Sequence, residues 1–182
     1  MSGFQAIRSQ GGGDNTGQID TYDVASTHST RLAIGDVVDL TGTADATGRA
    51  GCDAAGTTGQ ILGVIVGFEV DPDNLTDTGL AASTGGKARV NIDPNANYVV
   101  DVANGPLVVA NVGLNVNQVV TEATRSGGMT SSNMTVNATG VADTVTFPWR
   151  VVGLLEDSAG VLGNKAIVRP NSTTLNAGTV GA

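Results

Sequence analysis

Two side chains in this chain of 182 residues could run nucleophilic chemistry near neutral pH, and each occurs once: His28 and Cys52. Catalysis by a triad needs a base that titrates near neutrality next to an activated hydroxyl or thiol. His28 sits in Ser26-Thr27-His28-Ser29-Thr30, a polar run with no serine or cysteine motif around it, and reads as a loop histidine. Cys52, in Ala50-Gly51-Cys52-Asp53-Ala54, has no cationic neighbour in sequence to lower its pKa and reads as an inert thiol. A single cysteine also excludes an intrachain disulfide and a cysteine-based zinc cluster.

The carboxylates offer a second chemistry. Asp71-Pro72-Asp73-Asn74 with Asp77 and Gly79 resembles a loop of oxygen ligands for a hard cation, but lacks the spacing and terminal Glu of an EF-hand. A turn with exposed aspartates is the favoured reading, and calcium at this loop stays open. No GxGxxG, Walker-type loop, HExxH or CxxC is present, and Gly11-Gly12-Gly13 is not followed by a helix that could hold a phosphate. Four Asn-X-Thr triplets begin at Asn74, Asn133, Asn137 and Asn171; without a secretory leader they read as by-products of an Asn- and Thr-rich chain. Three glutamates and 3% aromatic residues make a sugar-cleaving cleft unfavourable. The expectation is a protein without catalytic residues, metal or cofactor.

Charge narrows the partners. Nine Lys and Arg stand against 17 Asp and Glu, a net charge of -8 with a pI near 4.3, so nucleic acid is disfavoured. The longest apolar block, Ile61 to Phe68, is strand-sized and too short to span a bilayer, so no membrane partner is expected. The sole cysteine fits folding in a cytosolic compartment.

The elements that must position these groups are strands. Val and Ile outnumber Leu and Met, and 26 Gly and 5 Pro interrupt most windows before three helical turns are complete. Ala88, Val90 and Ile92 alternate with Lys87, Arg89, Asn91 and Asp93, the pattern of a half-buried strand. Tyr98 to Val102 follows the turn Pro94-Asn95-Ala96-Asn97, so the two segments read as a hairpin. Residues 60–70 are apolar on both faces and read as a central, buried strand. Further strands are expected at 19–24, 31–34, 37–40, 107–110, 116–122, 144–156 and 165–169, with Pro148 marking an edge, bulge or change of sheet. Residues 41–59, 71–86 and 125–139 read as long polar loops. The fold class is all-β: a compact sandwich or barrel, a jelly roll among its candidate forms, as one β-rich domain over residues 19–182.

Residues 1–18 stand apart as an extended N-terminal arm, with Phe4 and Ile7 as apolar anchors and Gly11-Gly12-Gly13 as a joint. Phe4, Ile7 and Arg8 are candidates for contact with another subunit or a larger assembly. Packing of the arm on its own chain is the competing reading.

Gly3-Phe4-Gln5 with Ile7-Arg8, then Gly35-Asp36-Val37-Val38, Ile61 to Phe68, Val151-Val152-Gly153-Leu154-Leu155 and Ala166-Ile167-Val168-Arg169 together resemble the small head decoration, or cement, proteins of tailed bacteriophages. That resemblance covers nearly the whole chain and implies a β-rich virion protein, made in the host cytoplasm, that binds the outer surface of the assembled capsid and bridges capsomers. It implies two partners, the major capsid protein and further copies of the chain, with a trimer expected over a dimer. An acidic protein suits the outer surface better than the side facing packaged DNA. The alternative is another virion β-protein, such as a tail or fibre component binding a host surface, and a small β-scaffold hydrolase is a weaker third.

Overall fold

A computed structural model describes residues 3–7, 18–70 and 75–174. The described residues are almost entirely strand and loop, as the composition requires; a 3-10 turn, Val109–Asn111, is the one helical element among them. After a short strand β1 (Gln5–Ile7), five strands form a closed barrel: β2 (Ile19–Val24), β3 (Val37–Ala44), β4 (Ala50–Ala54), β5 (Gly63–Phe68) and β6 (Gly86–Asn91). The remaining strands are β7 (Asn97–Ala103), β8 (Asn115–Val119), β9 (Thr124–Ser126), β10 (Met129–Ser131), β11 (Thr135–Ala142), β12 (Trp149–Glu156) and β13 (Leu162–Pro170). Of these, β9 and β10 pair as a separate hairpin. The other five run β7-β11-β8-β12-β13, and a β7–β13 pairing closes them into a second ring, with β1 added beside β7.

The two rings are the same structure built twice. The first has the order β2-β4-β3-β5-β6, so each strand of one has its counterpart in the other, including the single parallel pairing, β2 with β4 and β7 with β11. Register agrees at the strands flanking β6 and β13, whereas β8–β11 is irregular between Val136 and Val141 where β3–β4 runs unbroken from Val38 to Leu40. Tyr22 opposes Ala88 as Val100 opposes Ala166, and Asp23 opposes Lys87 as Asp101 opposes Lys165. A bulge follows Ile65 opposite Val90, and one follows Val151 opposite Val168. Gly35 (φ 93) and Gly113 (φ 94) take the same left-handed turn, and each donates its N–H at 2.9 Å to the matching carbonyl, Ile65 and Val151. Asp23-Val24-Ala25 recurs as Asp101-Val102-Ala103, and Gly85-x-Lys87-Ala88-x-Val90 recurs as Gly163-x-Lys165-Ala166-x-Val168 at the same spacing.

Alternation along the strands explains the apolar pattern. Val38, Ile65, Ala88 and Val90 fill the first barrel, and their counterparts Val116, Val151, Ala166 and Val168 fill the second. The intervening Val37 and Val64 point outward and join the second barrel's cluster, with Ala55 and Ile61. That is why this stretch is apolar on both faces: one face lines a barrel and the other is the shared wall. Burial holds from Ile61 to Ile65 and then fails, Val70 being exposed.

Several expected elements differ. The segments 87–93 and 98–102 do not form a hairpin: both edges of β6 are taken, by β2 and β5, so the turn after it delivers the chain to the next barrel. Residues 41–59 and 125–139 hold strands, β3's second half and β4 in one case and β9 to β11 in the other. Their strands are rich in Thr, Gly and Ala, so pairing rather than apolar burial specifies them. The expected strand at 107–110 runs into the 3-10 turn, and 31–34 contributes only a bridge, Leu32 to Leu80.

Candidate functional site

The N-terminal segment is tied to its own chain. Gly3 (φ 66) lies so close to Ser132 and the Gly35 carbonyl that no side chain fits there. Phe4 donates its N–H to Gly35 O at 2.9 Å, stacks on Trp149 with centroids 4.4 Å apart, and meets Tyr98 edge-on at 6.5 Å. At 2% exposure it is a core residue. The expectation that Phe4 reaches a neighbour is therefore replaced by the competing one, because a ring buried between two aromatic partners has no face left to offer. Gln5, Ala6 and Ile7 pair antiparallel with Val99, Tyr98 and Asn97, leaving Ile7 half-buried at the strand's end. Arg8 and the Gly11-Gly12-Gly13 joint lie outside the described residues.

Around Phe4 the two barrels are bolted together. Trp149 Nε1 donates to Gln118 Oε1 at 2.7 Å, and Gln118 Nε2 in turn donates to Gly56 O at 2.6 Å, in the loop after β4. Val37 N–H points at the Met134 sulfur, 3.1 Å away. Nothing in the sequence marked Gln118 or Met134; a polar residue expected in a strand gave no sign that it would bridge two units.

The groups that could do chemistry, His28, Asp36 and Cys52, are buried within the chain. His28 is buried in a turn, donating Nδ1–H to Ala25 O at 2.9 Å, and it accepts Ser83's N–H on its own carbonyl. Cys52 faces the first barrel's interior; burial, then the charges of Asp53, Asp23 and Asp39, push its thiol up to about 12. Asp36 folds back so that Oδ2 accepts Ala33 N–H at 2.7 Å, while Oδ1 is buried without a hydrogen bond. Burial raises its carboxyl to about 6 against the lowering effect of Ser132 and Ala33.

Asp77, the described carboxylate of the calcium-like loop, is a clasp. Oδ1 accepts Thr130 Oγ1–H at 2.6 Å and Gly79 N–H at 3.0 Å; Oδ2 takes Arg31 at 2.7 Å and lies 3.4 Å from Arg125. Burial works to raise this carboxyl, but the bonds from Thr130, Gly79 and Arg31, with Arg31's charge, outweigh it and hold it below the usual carboxylate range. Arg31 N–H also donates to Glu122 at 2.9 Å, and Thr130 N–H to Thr78 at 2.9 Å. The β9–β10 hairpin of the second barrel thereby grips the β2–β3 and β5–β6 connectors of the first. Asp71 and Asp73 lie outside the described residues, and no cluster of three or more metal-ligating side chains occurs among the described ones.

What the fold leaves open is apolar surface on connectors. A groove of about 430 Å³ runs beside β1, with Ile34 (48% exposed) and Met129 (67%) on its walls. At the end of the second barrel Val108, Val109, Val112, Val161 and Leu162 are also exposed. No protein-family model, curated protein or solved structure matches this chain.

Proposed function

We propose that this chain is a structural binding protein of a tailed bacteriophage, a head decoration protein that attaches to the outer surface of the assembled capsid and stabilises it by bridging capsomers. One observation carries the binding part of this reading: His28, Asp36 and Cys52 are buried and Asp77 is bonded within the chain, while exposed apolar side chains such as Ile34, Val108, Val109, Val112 and Val161 lie on the connectors between strands. Such patches mark sites of protein association. The phage assignment rests on the sequence resemblance. The major capsid protein and further copies of the chain are the partners this reading requires, and Ile7 and Arg8 stay in it as partner contacts. The acidic net charge of -8 favours a place outside the DNA-filled shell.

Copy number in purified virions tests it. Hundreds of copies per particle, located on the head exterior by cryo-electron microscopy, are expected. A few copies at the tail would replace the reading with the tail or fibre alternative, and none would overturn both.

A further inference from the structure

Strand β7 runs out into the chain's one Asn-Gly pair, Asn104-Gly105, and residues 104–106 are all exposed. Asn104 (φ 64) and Gly105 (φ 107) both take the left-handed region, which Asn tolerates and Gly adopts freely. A Cβ on Gly105 would meet nothing within 4 Å, and its N–H donates to no described residue. The next backbone anchor is Leu107, whose N–H reaches Gly163 O at 3.0 Å. A peptide nitrogen can attack the carboxamide of the asparagine before it when no side chain blocks the approach and no acceptor holds its proton. Gly105 satisfies both conditions.

The same carboxamide holds two strands together. Asn104 Nδ2 donates at 2.9 Å to Oδ1 of Asn137 on β11, where Asn137 pairs with Ala103. That oxygen also accepts Thr139 N–H at 3.2 Å and Thr139 Oγ1–H at 2.8 Å. The backbone N–H of Thr139 can only donate, so it fixes which end of the Asn137 amide faces Asn104, and Asn104 must present its nitrogen. The nitrogen that makes this strap is the one that leaves when the carboxamide is attacked.

We propose that Asn104 is a self-modification site, converting to aspartate and isoaspartate and so releasing the strap between β7 and β11. Gly105 N attacks Asn104 Cγ: the N–Cγ bond forms, the Cγ–Nδ2 bond breaks, and ammonia leaves with the proton that Gly105 gave up. Water then opens the resulting succinimide ring. Attack at the former side-chain carbonyl restores the ordinary backbone with aspartate, and attack at the backbone carbonyl routes the chain through the former side chain as isoaspartate. Nothing is oxidised or reduced, and water is the only other reactant. Aspartate places a carboxylate opposite Asn137 Oδ1, two acceptors with no proton between them. Asn137 cannot turn its own nitrogen to that carboxylate without leaving Thr139 unpaired. Isoaspartate takes the former side chain into the backbone and off Asn137 altogether. Either product carries the net charge one unit below -8.

The unsubstituted full chain is the test sample. After warm incubation of the folded protein, trypsin releases residues 90–125 as one peptide, in which the other asparagines serve as internal standards. A fresh sample taken through the same digest sets the background. Mass spectrometry should find the change from amide to acid at Asn104 several-fold ahead of Asn111, which precedes Val112, with isoaspartate among the products. The rate should rise from pH 7 to pH 9, because Gly105 N attacks after losing its proton. It should also stay within several-fold of the rate in denaturant, where only the local sequence acts. Conversion no faster than at Asn111, or an Asn104 that converts in denaturant and stays intact in the fold, overturns the inference. Asn104→Asp tests the strap without incubation. Its melting temperature should fall, and fall further beside Asn137 than in the Asn137→Ala background, where the opposing acceptor is gone. Equal falls in the two backgrounds overturn the release of the strap.

Discussion

At the scale of single residues, the side chains that looked reactive act as structural parts, and each makes a prediction. Phe4→Ala removes a ring held between Trp149 and Tyr98 and should cost about 3–5 kcal/mol, read as a large fall in melting temperature. A small fall would return Phe4 to the arm. Asp36 gives a pH signature. Its carboxyl lies at about 6 in the fold against 3.8 in the unfolded chain, so folding favours the protonated form. The contribution is full below the unfolded value and is lost as pH rises through about 6, on the order of 3 kcal/mol. Asp36→Asn keeps an acceptor for Ala33 and carries no charge. Denaturant titrations from pH 4 to 7 should show the wild type losing stability relative to this variant; parallel curves would mean that the Asp36 carboxyl is not desolvated.

At the scale of elements, the clasp on Asp77 decides whether the β9–β10 hairpin stays docked. Asp77→Ala leaves Arg31 and Arg125 facing each other without their carboxylate and frees Thr130, with an expected cost of about 2–3 kcal/mol. Limited trypsin digestion should then cut at Arg125 several-fold faster than in the wild type. An unchanged cleavage rate would show that the hairpin is held by something else. Because the fold lowers this carboxyl, the clasp is intact above the usual carboxylate range and is lost as pH falls through its depressed value, opposite in sign to Asp36. The β5–β6 ladder has its own test. At Gly63 a Cβ would run into the Asn91 carbonyl, so Gly63→Ala should destabilise the first barrel where Gly67→Ala, with open space around it, should not.

At the scale of the whole molecule, the two barrels share one apolar wall and are expected to unfold together. Val37, Val64, Ala55 and Ile61 of the first barrel belong to the cluster that fills the second, and Gln118 and Trp149 tie the units by hydrogen bonds. Calorimetry of the full chain should show one cooperative transition. The first barrel alone, residues 18–93, exposes that wall and loses the hairpin over its connectors, so it should aggregate or lack a sharp transition. Two separated transitions in the intact protein would mean that the barrels are independent domains.

The sequence by itself determined the all-β class and most strand positions, because β-branched residues with frequent glycines cannot complete helices and because alternation such as Ala88, Val90, Ile92 encodes a buried face locally. It also carried the repeat, in Asp-Val-Ala and in Gly-x-Lys-Ala-x-Val, but too few positions match for those short identities to announce two barrels. Strand partners were decided only by the tertiary structure: the turn at Pro94 is as good for a hairpin as for a crossing, and the choice depends on β2 and β5 having already taken both edges of β6. Phe4 is the same case at the scale of a side chain. An apolar residue near a glycine run is equally suited to a partner's pocket or its own core, and what settles it is the space between Trp149 and Tyr98, formed by residues far away in the chain.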